Sequence, residues 1–96
     1  IKSLKIKVRP LNKKDIQERK LPNQTTGLVI TNIGENSPIN YLKVNDIIVE
    51  AQKKKIKSVE DLEKIVEASL KSNQKTILIV IYNSQNQKRY IGVKLD

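Results

Sequence analysis

The chain contains neither histidine nor cysteine, and their absence decides most of what its side chains can do chemically. A Ser-His-Asp triad, a Cys-His pair and a zinc site of the HExxH type each need one of these residues, so none can be built within this chain. Glycine is scarce, with three residues, and no glycine-rich phosphate-binding loop occurs. The remaining candidates for catalysis are carboxylates.

Acidic residues cluster in the segment from 60 to 67. Asp61 with Glu63, or Glu60 with Glu67, would be the pairs for general acid–base work. The same segment has helical spacing, and solvated acids on the outer face of an amphipathic helix are the ordinary arrangement. We therefore expect no catalytic residue, no metal ligand and no cofactor in this chain. Binding is the function class that remains.

The formal net charge of +9 raises the question of an anionic partner. The lysines are spread over the whole chain, and only Lys53 to Lys55 with Lys57 form a run. The joint excess of Ile, Lys and Asn is typical of AT-rich codon usage, which favours a solvated surface; attraction to an anionic lipid or polymer is the alternative. Because the three tyrosines are scattered and not interleaved with the cations, no nucleic-acid partner is expected, and a basic nucleic-acid module is the weakest alternative.

The length of 96 residues allows one hydrophobic core, so we predict a single domain over residues 1–96. Ile, Val and Leu supply the apolar content, which suits a sheet or a small barrel. No apolar run is long enough to span a membrane, and no secretory leader is visible. Since the first residue is Ile1, we expect the chain to be an excised C-terminal part of a longer protein.

The amino-terminal segment predicts a strand followed by a short helix. Leu4 to Arg9 alternates strictly between apolar and cationic residues, which is typical of a half-buried strand that ends at Pro10. Residues from Asn12, as N-cap, to about Lys20 have the composition of two helical turns, with Ile16 as their strong apolar anchor.

The stretch from Gly27 to Glu50 predicts two strands around a polar turn. Leu28 to Ile33 is rich in β-branched residues, with Leu28, Ile30 and Ile33 on a buried side. Ser37-Pro38 has the signature of a helical start, because a serine hydroxyl accepts from unpaired amides and proline fits the first turn. Asn45-Asp46 turns the chain, since asparagine tolerates a left-handed backbone, and residues 47–49 continue as a strand.

The carboxyl-terminal part predicts one strong helix and a hairpin. Ser58 begins a capping box for a helix from Val59 to about Lys71, with its apolar face at Val59, Leu62, Ile65, Val66, Ser69 and Leu70. A short return strand precedes it, with Lys53 and Lys54 at the turn. Residues 75–82 are apolar on both faces, which indicates a central strand, and 88–95 alternate as its hairpin partner.

These motifs resemble the PDZ domains of bacterial proteases. The residues Gly-Leu-Val-Ile at 27–30, Ser37-Pro38, Leu42-Lys43 and Asp46-Ile47-Ile48 resemble the strand, "GSPA" turn and "GLKxGDVI" strand of that family, and the whole chain looks most like the second, C-terminal PDZ domain of HtrA/DegP-type serine proteases. The segment between the turn and Leu42 is shorter than usual, and Asn45 replaces a glycine. The resemblance implies an α+β fold: a small, partly open barrel or sandwich of five or six strands with one main helix and one or two short ones, in the permuted bacterial order.

The resemblance also implies a peptide-binding groove. PDZ domains add an extended peptide as a strand beside a groove strand and a helix, and a loop of backbone amides receives the terminal carboxylate. The residues that this places at the site are Ser3, Leu4, Lys5, Ile6, Lys7, Val8, Val59, Glu63 and Val66. Lys5 replaces the usual glycine, at a backbone cost of about 1 kcal/mol or more, unless the loop is reshaped or the ammonium groups of Lys2 and Lys5 assist carboxylate capture. Each apolar member is equally explained as core.

The family implies expectations for the parent protein as well. They are a serine endopeptidase with its catalytic domain upstream, a periplasmic location in envelope quality control and stress response, and unfolded polypeptides or peptide C-termini as partners. Neighbouring PDZ or protease domains of the same oligomer are further expected partners, because second PDZ domains of these proteases are often linked to assembly. The same pattern occurs in site-2 proteases, C-terminal processing proteases and secretion scaffolds, which stay open as alternatives.

Overall fold

The structure is a computed structural model that describes residues 4–35, 37, 42–74 and 76–95. These ranges contain eight secondary-structure elements in the order that the sequence predicts, apart from the short helix expected after Ser37, which falls outside them. They are β1 (Ile6–Pro10), α1 (Lys13–Arg19), β2 (Leu28–Ile33), β3 (Ile47–Ala51), β4 (Lys54–Lys55), α2 (Val59–Lys71), β5 (Thr76–Tyr82) and β6 (Lys88–Lys94). Neither of the two helices in the described ranges is long and apolar enough to cross a membrane.

All strand pairs are antiparallel, and they form one sheet in the order β1-β2-β3-β5-β6, with β4 attached to β3. The sheet is open, since β1 and β6 lie at its two ends. One main helix and one short helix accompany it. The predicted α+β architecture is therefore confirmed, and β1, the first strand in the sequence, lies at one end of the sheet.

The larger hydrophobic core lies between the sheet and α2, which packs against β1 and β5. Ser58 is the N-cap of α2, as predicted, and accepts a hydrogen bond from the Asp61 amide while the Asp61 carboxylate accepts from the Ser58 amide. Leu62 and Val66 are buried on the core face. Leu70 was predicted on the same face, but it is 43% exposed although Ser69, its neighbour in the same last turn, is buried, so Leu70 lies at the margin of the apolar stripe.

The opposite face of the sheet carries a smaller core beside α1. Ile16, the anchor predicted for this helix, packs there against the cluster of Leu21, Val29, Ile47, Val49 and Val80. Asn12 caps the helix with a complete capping box to Asp15, again as predicted. The two cores together leave the central strands buried on both sides, which explains why β3 and β5 are almost wholly apolar.

A β-bulge at Thr31 divides the pairing between β1 and β2 into two registers: Lys7 pairs with Asn32, whereas Val8 pairs with Ile30. The extra residue shifts the alternation of β2 by one position. Ile33 therefore returns to the core side beside Leu28 and Ile30, which accounts for the unequal spacing of its apolar residues.

Two local predictions need correction. The first strand begins at Ile6, since Leu4 and Lys5 form a turn, although it ends at Pro10 as predicted. The turn between β3 and β4 uses Gln52 and Lys53, both with positive φ, where Lys53 and Lys54 were expected. The helical start predicted at Ser37-Pro38 extends into residues outside the described ranges.

Candidate functional site

Strand β1 presents an outer edge, as the groove model requires. Ile30, which lies opposite Val8, donates its amide to the Asp46 carbonyl at 2.9 Å and accepts from the Asn45 amide at 2.8 Å, both on the β3 side. Val8 is therefore not hydrogen-bonded to Ile30, and its N–H and C=O point away from β2. Lys7 has the opposite orientation, since its carbonyl accepts from the Thr31 hydroxyl on the β2 side at 3.1 Å. The main chain of β1 can thus pair with an added strand at Val8.

The turn that leads into β1 has the left-handed backbone expected at the family's glycine. Lys5 has a φ of 53°, and its carbonyl accepts from the Gly34 amide at 2.7 Å. Leu4, the other residue of this turn, is also fixed, because its carbonyl accepts a hydrogen bond from the hydroxyl of buried Ser37. The turn therefore keeps the shape that glycine favours, although the residue is lysine.

Gly34 makes this anchoring possible. A Cβ atom built on Gly34 would lie 2.9 Å from the Lys5 carbonyl oxygen, which is closer than a side-chain carbon tolerates. Any larger residue would push the Lys5 turn away from the end of β2. Gly34 and Ser37 are thus supporting residues of the candidate site that the sequence interpretation did not identify; the signal was the small residues directly after β2.

Helix α2 packs against β1 and presents three positions of different character. Val59 is partly buried against the main core, Glu63 is exposed, and Val66 is 1% exposed. Val66 therefore lies under the surface in this structure, as a floor residue that a peptide would reach only if the side chains above it moved. Glu63 is the charged member of the three.

The six site residues predicted in the amino-terminal segment fall into three groups. Ser3 lies outside the described residues. The apolar residues of the amino-terminal segment belong to the core or pack against it, with Leu4 and Ile6 almost fully buried and Val8 partly buried. Lys5 and Lys7 are exposed, so they supply positive charge at the edge of β1. The structure brings the first strand and α2 together, and the contribution of each residue to binding stays a prediction.

An ion pair at the back of β1 fixes the outer strand to α1. Arg9 donates from Nη1 to Asp15 Oδ2 at 2.7 Å and from Nη2 to Oδ1 at 2.8 Å, a bidentate arrangement. The hydrogen bonds from Arg9, against the opposing effect of partial burial, lower the pKa of the Asp15 carboxyl to about 2, with help from the Asn12 amide. The carboxylate is therefore ionised over the whole physiological range, and the contact supports the strand that carries the edge.

Comparison with known proteins agrees with this geometry. The family model described as "PDZ domain" matches residues 4–93. A curated relative, the "Probable periplasmic serine endoprotease DegP-like" of Rickettsia conorii, is 35% identical over 65 residues, which is 68% of this chain and 12% of the relative. The chain thus spans about an eighth of the length of that protein. With a match over nearly all of its residues and an exposed strand beside the main helix, this chain belongs to the PDZ domain family, whose members bind polypeptides.

Proposed function

We propose that this domain binds extended polypeptides that end in a free carboxylate, by strand addition at the outer edge of β1. The observation that carries the proposal is the orientation of Val8, whose main-chain groups point away from β2 while α2 runs alongside. An added antiparallel strand would bond to Val8 and direct its terminus toward the Lys5 turn.

The limits of β1 define how long such a pairing can be. Pro10 has no amide and ends the strand, so an added chain finds no further main-chain donor there. Lys5 and Lys7 add positive charge near the expected position of the carboxylate. A short pairing on a shallow edge is worth about 8 kcal/mol at most, which corresponds to micromolar affinity.

The test is a titration of the isotope-labelled domain with a short peptide that ends in aliphatic residues, followed by amide NMR. The amides of Lys5, Ile6 and Val8 should shift, together with those of Val59 and Glu63. The same peptide with an amidated C-terminus should bind about tenfold or more weakly, because it lacks the charge that the turn would receive. Absence of shifts at these positions at millimolar peptide would rule the groove out.

A matched pair of variants separates edge pairing from side-chain contact. Val8→Pro removes the outward amide and leaves the β2 ladder intact, whereas Val8→Ala shortens the side chain and keeps the amide. We expect Val8→Pro to abolish the peptide-induced shifts and Val8→Ala to weaken them by a few-fold. Equal effects of both variants would assign the binding to the side chain alone.

We further propose that the domain is part of a periplasmic DegP-like serine endoprotease, in which it handles substrates and contributes to oligomer assembly in envelope quality control. The support is the similarity to the DegP-like relative, together with the absence of histidine and cysteine, which assigns catalysis to another part of the parent chain. The reading frame that encodes this segment should then specify a trypsin-like domain upstream. An intramembrane HExxH motif there would overturn this assignment in favour of a site-2 protease.

A role in assembly would use the same edge of β1, occupied by a neighbouring domain of the oligomer. It is tested by analytical ultracentrifugation of the parent protein with and without Val8→Pro. Smaller particles in the variant support assembly through β1, whereas unchanged particles leave the edge to substrate handling.

A further inference from the structure

A cavity of about 530 Å³ lies between the β3–β4 hairpin, helix α2 and strand β5. Its apolar surface is formed by Ile65 and Ala68 of α2 and by Leu78 of β5. Leu78 is 36% exposed, although Ile77 and Ile79 on either side of it are fully buried. The cavity therefore keeps an accessible apolar surface, and its volume is within the range of ligand-binding clefts, about 300–1,000 Å³.

This cavity lies on a different side of α2 from the groove proposed above. Val66 is buried in the main core, near the centre of the apolar stripe of the helix. Glu63, which belongs to the groove, and Ala68, which lines the cavity, are separated by about 140° around the helix axis, on opposite margins of that stripe. A ligand in the cavity therefore needs neither the edge of β1 nor the groove residues of α2.

The lysine run at 53–55 is divided between two cavities. Lys53 and Lys54 line the cavity described here, and among the described residues that line it none is acidic. Lys55 instead lines a neighbouring cavity, to which Glu50 contributes a carboxylate. Lys53 and Lys54 are exposed, and the ion pairs within the described part of the chain are formed by other residues. The first cavity therefore carries positive charge that no lining carboxylate compensates.

The charged residues of α2 beside this cavity leave its sign unchanged. Lys64 and Lys71 lie within one turn of Ala68, at i−4 and i+3. Asp61 lies at the amino-terminal end of the same side, but its Oδ2 atom accepts hydrogen bonds from two main-chain amides at the start of the helix. Glu67 lies about 100° from Ala68 around the helix axis. Cations therefore flank the apolar surface on the helix side as well as on the hairpin side.

A chain of amide groups adds a hydrogen-bond donor to the cavity. The main-chain amide of Leu78 donates to Gln52 Oε1 at 3.0 Å, which fixes the orientation of the Gln52 amide. Gln52 Nε2 in turn donates to Gln74 Oε1 at 3.3 Å. The oxygen of Gln74 is therefore engaged, and its Nε2 group presents its N–H donors, to which no acceptor in the described part of the chain is bonded.

These features specify the chemistry of the ligand. It needs an aliphatic group for the apolar surface, together with anionic groups and a hydrogen-bond acceptor around that group. A nucleic acid offers no aliphatic group, and a lipid carries its charge at one end only, whereas Lys54 and Lys71 lie on two sides of the apolar surface. A polypeptide supplies carboxylates on both sides of an aliphatic side chain, and its main-chain carbonyls are acceptors.

We propose that this cavity binds a segment of another protein in which a leucine or similar aliphatic residue is flanked by acidic residues. The aliphatic side chain packs on Ala68 and Leu78, and the carboxylates pair with Lys53 and Lys54. A main-chain carbonyl of the segment accepts a hydrogen bond from Gln74 Nε2. The site differs from the β1 groove in its residues and in needing no terminal carboxylate.

The test is a titration of the isotope-labelled chain, at low ionic strength, with a five-residue peptide that has leucine at its centre and glutamate elsewhere, acetylated at its N-terminus and amidated at its C-terminus. The main-chain amides of Lys54, Ala68 and Leu78 and the side-chain amide of Gln74 should shift, and added salt should weaken binding. A peptide with glycine in place of leucine should bind about tenfold more weakly, since it keeps the charge and loses the apolar contact.

Three results of this titration would overturn the proposal. Equal binding of the leucine and glycine peptides would mean that charge alone attracts them. Equal shifts of the same amides with a single-stranded oligonucleotide or with phosphatidylglycerol vesicles would assign the cavity to another anion. Shifts confined to β1, or none at millimolar peptide, would leave the cavity without this ligand. Because the peptide is capped, failure of the β1 proposal would not alter the expected result.

A matched pair of double variants separates the cavity from the net charge of the chain. Lys53→Gln with Lys54→Gln should weaken binding of the leucine peptide about tenfold. Lys55→Gln with Lys88→Gln removes the same charge from the neighbouring cavity and should change the affinity by less than about twofold. All four side chains are exposed, so we expect both variants to fold. Equal losses in the two would contradict the proposal.

Two further variants test the apolar surface and the amide donor. Leu78→Thr keeps a β-branched residue in the strand and should remove the preference for the leucine peptide over the glycine peptide. Gln74→Glu keeps the oxygen that Gln52 needs but replaces the donor with a carboxylate, and it should weaken binding about tenfold. Gln24→Glu, in the neighbouring cavity, is the control for the added charge and should have little effect. An unchanged preference in Leu78→Thr would place the leucine elsewhere and overturn the proposal.

Discussion

Lys5 has the most demanding backbone in the candidate site. A left-handed conformation costs a residue with a Cβ about 1–2 kcal/mol, whereas glycine adopts it freely. The turn nevertheless holds, because the Lys5 carbonyl is fixed by Gly34 and the Leu4 carbonyl by Ser37. Two neighbouring anchors therefore maintain a conformation that lysine alone would avoid.

Replacing Lys5 with glycine should stabilise the domain. Glycine relieves backbone strain in the folded state, and this gain exceeds the free energy lost because glycine makes the unfolded chain more flexible. We therefore expect the free energy of unfolding to rise by about 0.5–1 kcal/mol. Lys7→Gly is the matched control: Lys7 has an extended backbone in β1, and glycine there should cost roughly 1 kcal/mol. Urea denaturation measures both, and a loss of stability in Lys5→Gly would mean that the lysine side chain makes a stabilising contact.

Asp15 gives the domain a specific sensitivity to acid. Its pKa is about 2 in the folded state and about 3.9 in an unfolded chain, so ionisation favours folding. The contribution is complete above pH 4 and is lost as the pH falls toward 2. Asp15→Asn should lower the free energy of unfolding at pH 7 by about 0.2–1 kcal/mol and reduce the further loss below pH 4. Denaturation curves at several pH values test this, and parallel pH profiles for the two proteins would contradict it.

At the scale of elements, α2 makes the main core through one face only. Leu62 is fully buried on that face, whereas Leu70 is largely exposed despite its helical spacing. Leu62→Ala should therefore cost about 2–5 kcal/mol, while Leu70→Ala should change the free energy of unfolding by less than about 0.5 kcal/mol. Thermal or urea unfolding of the two variants gives the comparison. Similar losses in both would mean that the last turn of α2 is packed in solution.

The same helix shows what local sequence can predict. Its start was readable, because the capping box at Ser58 and Asp61 is a local interaction within one turn. Its buried face was readable only in part, since Ser69 is buried and Leu70 is exposed in the same turn, and helical spacing alone does not say which margin of the apolar stripe is covered. The position of α2 beside β1 came from the family resemblance, because contact between elements so far apart in sequence has no local signature.

Strand register shows the same limit. The strand from Leu28 to Ile33 was predicted with correct ends, but the bulge at Thr31 depends on its pairing with Lys7 and Val8 and could not be derived from either strand alone. In the candidate site, Lys5 stands where the family motif has glycine, and its backbone has the left-handed conformation that glycine favours. Gly34 was not identified from the sequence, because its role is to leave space for the Lys5 carbonyl, which is distant in sequence.

Over the described part of the molecule, the residues with a left-handed backbone are not the glycines. Among the described residues, seven that are not glycine have positive φ, while none of the three glycines does. The seven are Lys5, Lys20, Asn45, Gln52, Lys53, Asn73 and Asn86. Two of the glycines instead provide space, since a Cβ on Gly27 would lie 2.7 Å from the Ile48 carbonyl oxygen and one on Gly34 would be almost as close to Lys5. The turns therefore hold backbone strain that substitution can release.

Two of these turns lie at Lys20, after α1, and at Lys53, between β3 and β4. Lys20→Gly and Lys53→Gly should each add about 0.5–1 kcal/mol to the free energy of unfolding, and together about the sum, because the two residues belong to separate turns. Asn73→Gly is the control, with an expected gain of a few tenths of a kcal/mol, since asparagine tolerates this conformation. Urea denaturation of the single and double variants measures the gains. A double variant that is no more stable than the original chain would show that the turns are not strained, and the same reasoning for Lys5 would then fail with it.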